Sequence, residues 1–217
     1  MALAIFDLDE TLIAGDCASL WSHEMARLEW VDGERFLKHE AHLMTEYALG
    51  RLAMEDYMAY TLEPLVGRTL DEIEYVVGPF VEDVIEPLIY SDAMRCVTAH
   101  RSKGDRILVI SASPYFLVSA IADRLGITEV LAIDIEVNQG LITGKTKGVL
   151  TYQEGKVVRL QSWLEAENET LEGAYFYSDS RNDLPLLERV RHPRVVNPDS
   201  VLRNHAYVAS WPILQWA

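Results

Sequence analysis

Cysteine is scarce: the 217 residues hold two, Cys17 and Cys96. Two thiols cannot build a disulfide framework, and a reduced, cytoplasmic setting is the simplest expectation. Positive charge is scarce as well. The chain has 19 Lys and Arg against 34 Asp and Glu, a net of −15. Such a surface repels phosphate backbones, which disfavours a nucleic-acid partner. Long apolar runs are missing too. No stretch reaches the roughly 18 residues needed to cross a bilayer, so no membrane partner is expected. The N-terminus lacks a basic segment and Asp7 interrupts its apolar run early, which argues against a signal peptide. The six histidines show no metal-ligand spacing, and "HEMAR" lacks the second His of a zinc helix. No internal repeat or low-complexity tract stands out, and oligomeric state is not legible.

What is present is apolar substance enough for a packed core, with 49% hydrophobic residues. Acid is spread unevenly. Residues 14–90 hold 16 Asp or Glu and 5 Lys or Arg, a net of −11, while the remainder nets −4. The same segment lacks strand patterns and carries four helical ones, in "CASLWSHEMARLEWV", "GERFLKHEAHLMTEYALG", "MEDYMAYTLEPLV" and "TLDEIEYVVGPFVEDVI". Gly50 suits the C-terminal cap of the second. Outside this block, short apolar runs alternate with helices. "ALAIF", "RILVIS", "EVLAIDIEV", "AYFYS", "RVVN" and "AYVAS" read as strands, "NQGLITG" as a hairpin turn, and Ser91 as the cap of a helix over "SDAMRCVTAHRSKG". Alternation of this kind predicts an α/β protein with a parallel sheet. The expected organisation is a discontinuous core, 1–13 and 88–217, interrupted by a helical segment, 14–87.

In open α/β sheets, ligands sit beyond the carboxyl ends of the strands. Asp7, Ser111 and Asp179 each end an apolar run, so three separate stretches bring polar groups to one edge. A carboxylate at Asp7 is ionised at neutral pH and could attack phosphorus without a base. An anion attacking an anion needs charge compensation. Mg²⁺ supplies it with one or two carboxylates, here Asp7 and Asp179, while Asp183 could hold a bound water. Asp9, two positions on, would share a face with Asp7 in an extended strand. It could act as general acid and base and offer its carbonyl to the metal. Ser111 and the Ala112 N–H suit phosphate oxygens, with Ser113 a nearby rival. Lys156 opens a helix after Gly155 and could balance charge, although Lys145 and Lys147 lie close upstream. The bland alternatives are a calcium loop, surface acids and solvated lysines. An EF-hand needs Gly and Glu where Leu12 and Ala18 stand, so that reading fails. Five tryptophans and the Met and Tyr stripes read as packing.

"DLDET" matches the D-x-D-x-[TV] motif of the haloacid dehalogenase-like (HAD) superfamily. "ILVISAS" resembles its second motif, "EGKVVRL" its third, and "YFYSDSRNDLPLL" its fourth. Four motifs in order cover the core, and the chain most resembles the phosphoserine-phosphatase-like branch with a type 1 helical cap. The resemblance implies a Rossmann-like core with an inserted α-helical cap domain. It implies a Mg²⁺-dependent phosphatase working through an aspartyl-phosphate on a small phosphate ester, and it gives Asn182 a part in holding the phosphate. Dehalogenases lack the second acid, P-type ATPases carry Thr there and need membrane helices, and a phosphomutase is less cleanly separated. A non-catalytic binding protein on the same scaffold would not need all four acids.

Phosphoserine phosphatases use a cap acid for the substrate amine and a cap arginine for its carboxylate. Asp16 falls where the acid is expected. Alignment on the cap's Gly-x-Leu puts Thr61 at the arginine's place, with Arg51 and Arg68 as displaced candidates. Without an arginine a substrate carboxylate is desolvated unpaired. A phosphorylated amino alcohol fits better. Histidinol phosphate is the leading expectation, phosphoserine the runner-up, and phosphoethanolamine follows.

Overall fold

The computed structural model describes residues 2–217 apart from Gly50 and Leu52. The expected cap at Gly50 and the Gly-x-Leu anchor therefore lie outside the described residues.

Strand β1 (Leu3–Phe6) is buried along its whole length. Four helices follow: α1 (Cys17–Arg27), α2 (Gly33–Ala48), α3 (Met54–Leu62) and α4 (Leu70–Phe80). Three of them begin on residues that satisfy free N–H groups. Asp16 accepts from the Ser19 N–H at 2.7 Å, Asp32 caps α2, and Thr69 with Glu72 closes a reciprocal capping box on α4. Pro79 stands near the end of α4, and the chain then loosens into a π-helical turn at Val81–Ile85 and a 3₁₀ turn at Glu86–Leu88. The segment expected to be helical through Ile85 stays helical, with its hydrogen-bond spacing changing after Pro79, which lacks a donor.

Beyond this insertion run α5 (Ser91–Ser102), β2 (Arg106–Pro114), α6 (Tyr115–Arg124), β3 (Glu129–Asn138), β4 (Leu141–Lys147) and α7 (Glu154–Glu167). Then come β5 (Tyr175–Ser178), α8 (Leu184–Leu187), β6 (His192–Val196), α9 (Ser200–Ala209) and β7 (Ile213–Leu214). The sheet order is β4-β3-β2-β1-β5-β6-β7. Every neighbouring pair is parallel except β3–β4, so the expected α/β Rossmann-like core is present. One apolar layer lies under α7, α8 and α9, where Leu160, Leu164, Leu186, Leu187 and Leu202 pack on β1 and β5. The other is larger. It joins Val97 of α5 and Leu117 and Ile121 of α6 to Trp21, Met25, Met58 and Val77 of the inserted helices.

Two local expectations are corrected, and the expected hairpin is present. "AYVAS" is no strand but the end of α9. Asp199 caps that helix through the Val201 and Leu202 N–H groups, Leu202 and Ala206 are buried one turn apart, and Tyr207 and Val208 face solvent. Helical period upstream outweighs β-branched composition in a short window. Ser91 does not cap α5. Tyr90 holds the cap position with no side-chain bond, and the Ser91 hydroxyl donates to the Ala217 carbonyl. After the "NQG" turn, where Gln139 and Gly140 take φ of 50° and 82°, the chain continues as the antiparallel strand β4.

Candidate active site

Strands β2, β1 and β5 are adjacent and parallel, so their carboxyl ends share one edge of the sheet. The Asp7 N–H donates to the Tyr177 carbonyl at 2.9 Å, just past the end of β1. Asp7 and Asp9 thus stand just beyond the strand, and both face the same cavity. The chain then coils. The Leu8 carbonyl accepts from the N–H of Leu12 at 2.8 Å and of Ile13 at 3.2 Å, with Glu10 at φ 54°. The cavity, of about 240 Å³, is also lined by Asp179, Ala112, Ser113 and Asp16.

Lys156 sits behind Asp7. Its ammonium donates to Asp7 Oδ1 at 2.7 Å and to Asp183 Oδ2 at 2.8 Å, and Asp183 accepts further from the Ser178 hydroxyl at 2.7 Å. All four residues are buried. Burial favours loss of the Lys156 proton, but Asp183 and Asp7 outweigh it and the pKa is raised. Asp7 is pushed up to about 7, chiefly by burial, against the pull of Lys156 and with the charges of Asp183 and Asp9 adding to it. Asp179 is raised well above the carboxylate range, first by burial and then by Asp7 and Asp183.

Asp9 is held from three sides. Its Oδ1 accepts from the Cys17 N–H at 2.7 Å, and its Oδ2 accepts from the hydroxyls of Ser113 at 2.9 Å and Ser111 at 3.3 Å. Ser113 lines the cavity while Ser111 is fully buried beneath it. Ala112 lies in the irregular end of β2, where pairing with β3 shifts between Ile110 and Pro114. Asn182 is buried. Its side-chain carbonyl accepts from Gln153 Nε2 at 3.2 Å and Tyr152 OH at 3.4 Å, and its amide donates to the Tyr47 carbonyl at 3.5 Å.

Four acids face one lysine in this cluster, an excess of buried negative charge on hard oxygen donors. Among the described residues no group of three or more His, Cys, Asp or Glu side chains forms a metal cage. The carboxylates on the cavity wall that could hold a cation are Asp7 and Asp179. A sparse oxygen set of this kind suits Mg²⁺, which keeps several of its waters.

On the side of the inserted helices the cavity is lined by Met44 and Tyr47 of α2, Met54 and Tyr57 of α3, and Asp16. Asp16 is half-buried and raised to about 8, by burial first and then by the charge of Asp9. The other two cap residues named from the sequence are elsewhere. Thr61 is buried within α3, its hydroxyl donating back to the Tyr57 carbonyl at 3.0 Å, and Arg51 is solvent-exposed and paired with Glu46 at 2.9 Å. Arg68 lies over the Trp30 ring at 3.8 Å. Among the described residues no Lys or Arg lines the cavity.

Several contributors escaped sequence reasoning. The Thr11 hydroxyl donates to Asp179 Oδ1 at 3.2 Å, tying the first acidic segment to the last. Its place in "DLDET" was the available signal. Ser178, Tyr47 and Tyr57 had none, being common residues at unremarkable spacings.

Residues 4–188 match the haloacid dehalogenase-like hydrolase family. The chain belongs to that family, as the four motifs led one to expect. Histidinol-phosphatase of Neisseria meningitidis serogroup C (strain 8013) is 34% identical over 218 residues, covering 99% of this chain and 98% of that one. Phosphoserine phosphatase SerB1 of Mycobacterium tuberculosis (strain ATCC 25618 / H37Rv) is 30% identical, over 98% of this chain and 70% of its own. A crystal structure of a protein of unknown function from Bordetella pertussis Tohama I aligns with a TM-score of 0.91 and 34% identity, over 98% and 97% of the two chains. A phospho-aspartyl intermediate analogue of phosphoserine phosphatase shares the fold, with a TM-score of 0.72 at 18% identity over 99% and 92%. The protein is a phosphoric monoester hydrolase, and no helix among the described residues is long and apolar enough to cross a membrane.

Proposed function

We propose a Mg²⁺-dependent phosphatase that acts on a small phosphate ester with a cationic head group, through an aspartyl-phosphate. The core segments 1–13 and 88–217 do the chemistry, and the cap, 14–87, selects the head group. One Asp7 oxygen bonds to Lys156, which leaves the other to attack phosphorus. As the P–O bond to the alcohol breaks, Asp9 protonates the departing oxygen. Asp9 then takes a proton from water, which attacks phosphorus and releases Asp7. An arriving phosphate would draw the Ser111 and Ser113 hydroxyls away from Asp9 Oδ2 and so free that oxygen for proton transfer. The Ala112 N–H and Lys156 complement the phosphate charge, and Asn182 supports its surroundings. Mg²⁺, held by Asp7, the Asp9 carbonyl and Asp179 with Asp183 behind them, would neutralise charge on the phosphate as a Lewis acid.

The observation that carries the substrate reading is a cavity joining these acids to Asp16 and two tyrosines with no arginine on its wall. A substrate carboxylate has no partner there, whereas an ammonium or imidazolium has Asp16. Histidinol phosphate is the leading substrate, in keeping with the 34% identical relative of that name. Phosphoserine is the second reading, favoured by the relative SerB1, and phosphoethanolamine follows. The test is phosphate release by wild type and Asp7→Asn, in Mg²⁺ or EDTA, from these esters and p-nitrophenyl phosphate. The expected result is turnover only by wild type with Mg²⁺, highest kcat/KM on histidinol phosphate. Turnover by the variant overturns the nucleophile, and undiminished turnover in EDTA overturns the metal. Phosphoserine ahead by tenfold, about 1.4 kcal/mol in transition-state binding, overturns the substrate.

A further inference from the structure

Four buried side-chain polar atoms among the described residues have no hydrogen-bond partner: Trp21 Nε1, Ser22 Oγ, Thr151 Oγ1 and the Tyr57 hydroxyl. Three belong to residues away from the cavity. Tyr57 lines it, together with Asp16, and is only 4% exposed. A buried hydroxyl without a partner is costly and rare in folded proteins, so an orphan on a binding cavity marks a partner yet to arrive.

The surroundings define that partner. Burial raises the Tyr57 phenol well above its ordinary range, and the charges adding to the shift are those of Asp16, then Glu40, Cys17 and Asp9. All are acidic groups. Glu40 is itself buried and accepts from the Ser19 hydroxyl at 2.6 Å, while the Ser19 N–H caps Asp16. The charges that bear most on Tyr57 are therefore those of acids, and it shares the cavity with the carbon-rich wall of Met44, Met54 and Tyr47.

We propose that Tyr57 is a specificity-determining residue: its hydroxyl oxygen accepts an N–H from the protonated nitrogen of the substrate head group, whose charge Asp16 balances. This rests on the cationic-ester reading above and adds the residue that a carboxylate alone cannot replace. Asp16 offers charge, and the phenol offers a directed acceptor on a rigid ring. Glu40, through Ser19, deepens the negative field around both.

The test is the selectivity of Tyr57→Phe, which keeps the ring and removes only the oxygen. The measured quantity is kcat/KM for histidinol phosphate divided by kcat/KM for p-nitrophenyl phosphate, which has no amine. The ratio is expected to fall tenfold or more, mainly through KM for the amine ester. Calorimetry should show a matching tenfold loss of affinity for L-histidinol. The melting temperature should stay level or rise, because the lost hydroxyl bonds to nothing in the free protein. A ratio that Tyr57→Phe leaves intact, or a lowered melting temperature with the ratio intact, overturns the inference alone. Wild type with no preference for the amine ester overturns the substrate reading and this inference together.

Discussion

At the scale of residues, the site is a balance between acids that burial would neutralise and the few donors that keep them charged. Asp16 shows it most simply. Its pKa stands at about 8 in the folded chain against an ordinary 3.8. Between those two values the folded state holds a proton that the unfolded chain has released. Raising the pH through that window therefore favours unfolding, and the stability associated with this group is lost on the alkaline side. Asp16→Asn removes the charge but keeps a side-chain oxygen for the Ser19 N–H, since Asn caps helices as well as Asp does. The variant should melt above wild type at pH 8, and the difference should shrink toward pH 4, in thermal scans without metal. A difference that is constant with pH, or larger at pH 4, would show that the raised pKa is wrong. The same variant should lose preference for an amine-bearing ester, because a bound cation would draw the proton from Asp16 and leave a balancing charge that Asn cannot supply.

At the scale of elements, Lys156 is legible because helix α7 begins where it does. Gln153 before it adopts φ 49°, and a Cβ at Gly155 would run into the Leu150 carbonyl oxygen. Glycine is required by that close approach, which lets the first turn of α7 carry the lysine to Asp7. Gly155→Ala should destabilise the protein by roughly 1–3 kcal/mol, the range for overpacking a tight site. It should also lower kcat with Lys156 untouched in sequence. Urea denaturation and p-nitrophenyl phosphate turnover check both, and a variant matching wild type in each would refute the steric reading. Strand ends and helix starts of this sort explain how much the sequence revealed. Buried parallel strands read clearly as apolar runs, and the acids at their ends, Asp7 and Asp179, read with them. The two-residue strand β7 and the C-terminal half of α9 did not, since five residues are too few to separate the two periods. Asp9 and Asp7 line one cavity, and the turn that follows them, closed on the Leu8 carbonyl, was not legible. Ser113 against Ser111 was undecidable, because which hydroxyl reaches a cavity depends on the irregular end of β2. Tyr57 carried no signal, as its burial and missing partner exist only once α3 packs into the common core.

At the scale of the whole molecule, the inserted helices and the sheet share one continuous apolar layer, yet the candidate cavity lies between them. Two connections join them in the chain. These pair with each other, the Ala14 N–H donating to the Leu88 carbonyl at 2.8 Å and the Tyr90 N–H to the Leu12 carbonyl at 3.1 Å. A third tie runs through space, where the Gly67 N–H donates to the Ile142 carbonyl at 3.0 Å and the Ile142 N–H to the Arg68 carbonyl at 2.9 Å. On the proposed reading, the paired connections near Ala14–Gly15 and Pro87–Ser91 would serve as the pivot. Because Met44, Tyr47, Met54 and Tyr57 wall the cavity, a substrate bound there would be covered by helices that would have to give way to admit it. Closure over a bound phosphate would also exclude water while charge develops. A phosphate mimic, beryllofluoride with Mg²⁺, should therefore slow amide exchange in α2 and α3 beyond any change in α5, which contributes no residue to the cavity wall. Exchange that slows equally everywhere would indicate general stabilisation by binding, and exchange unchanged in α2 and α3 would mean that the insertion is a fixed wall and not a lid.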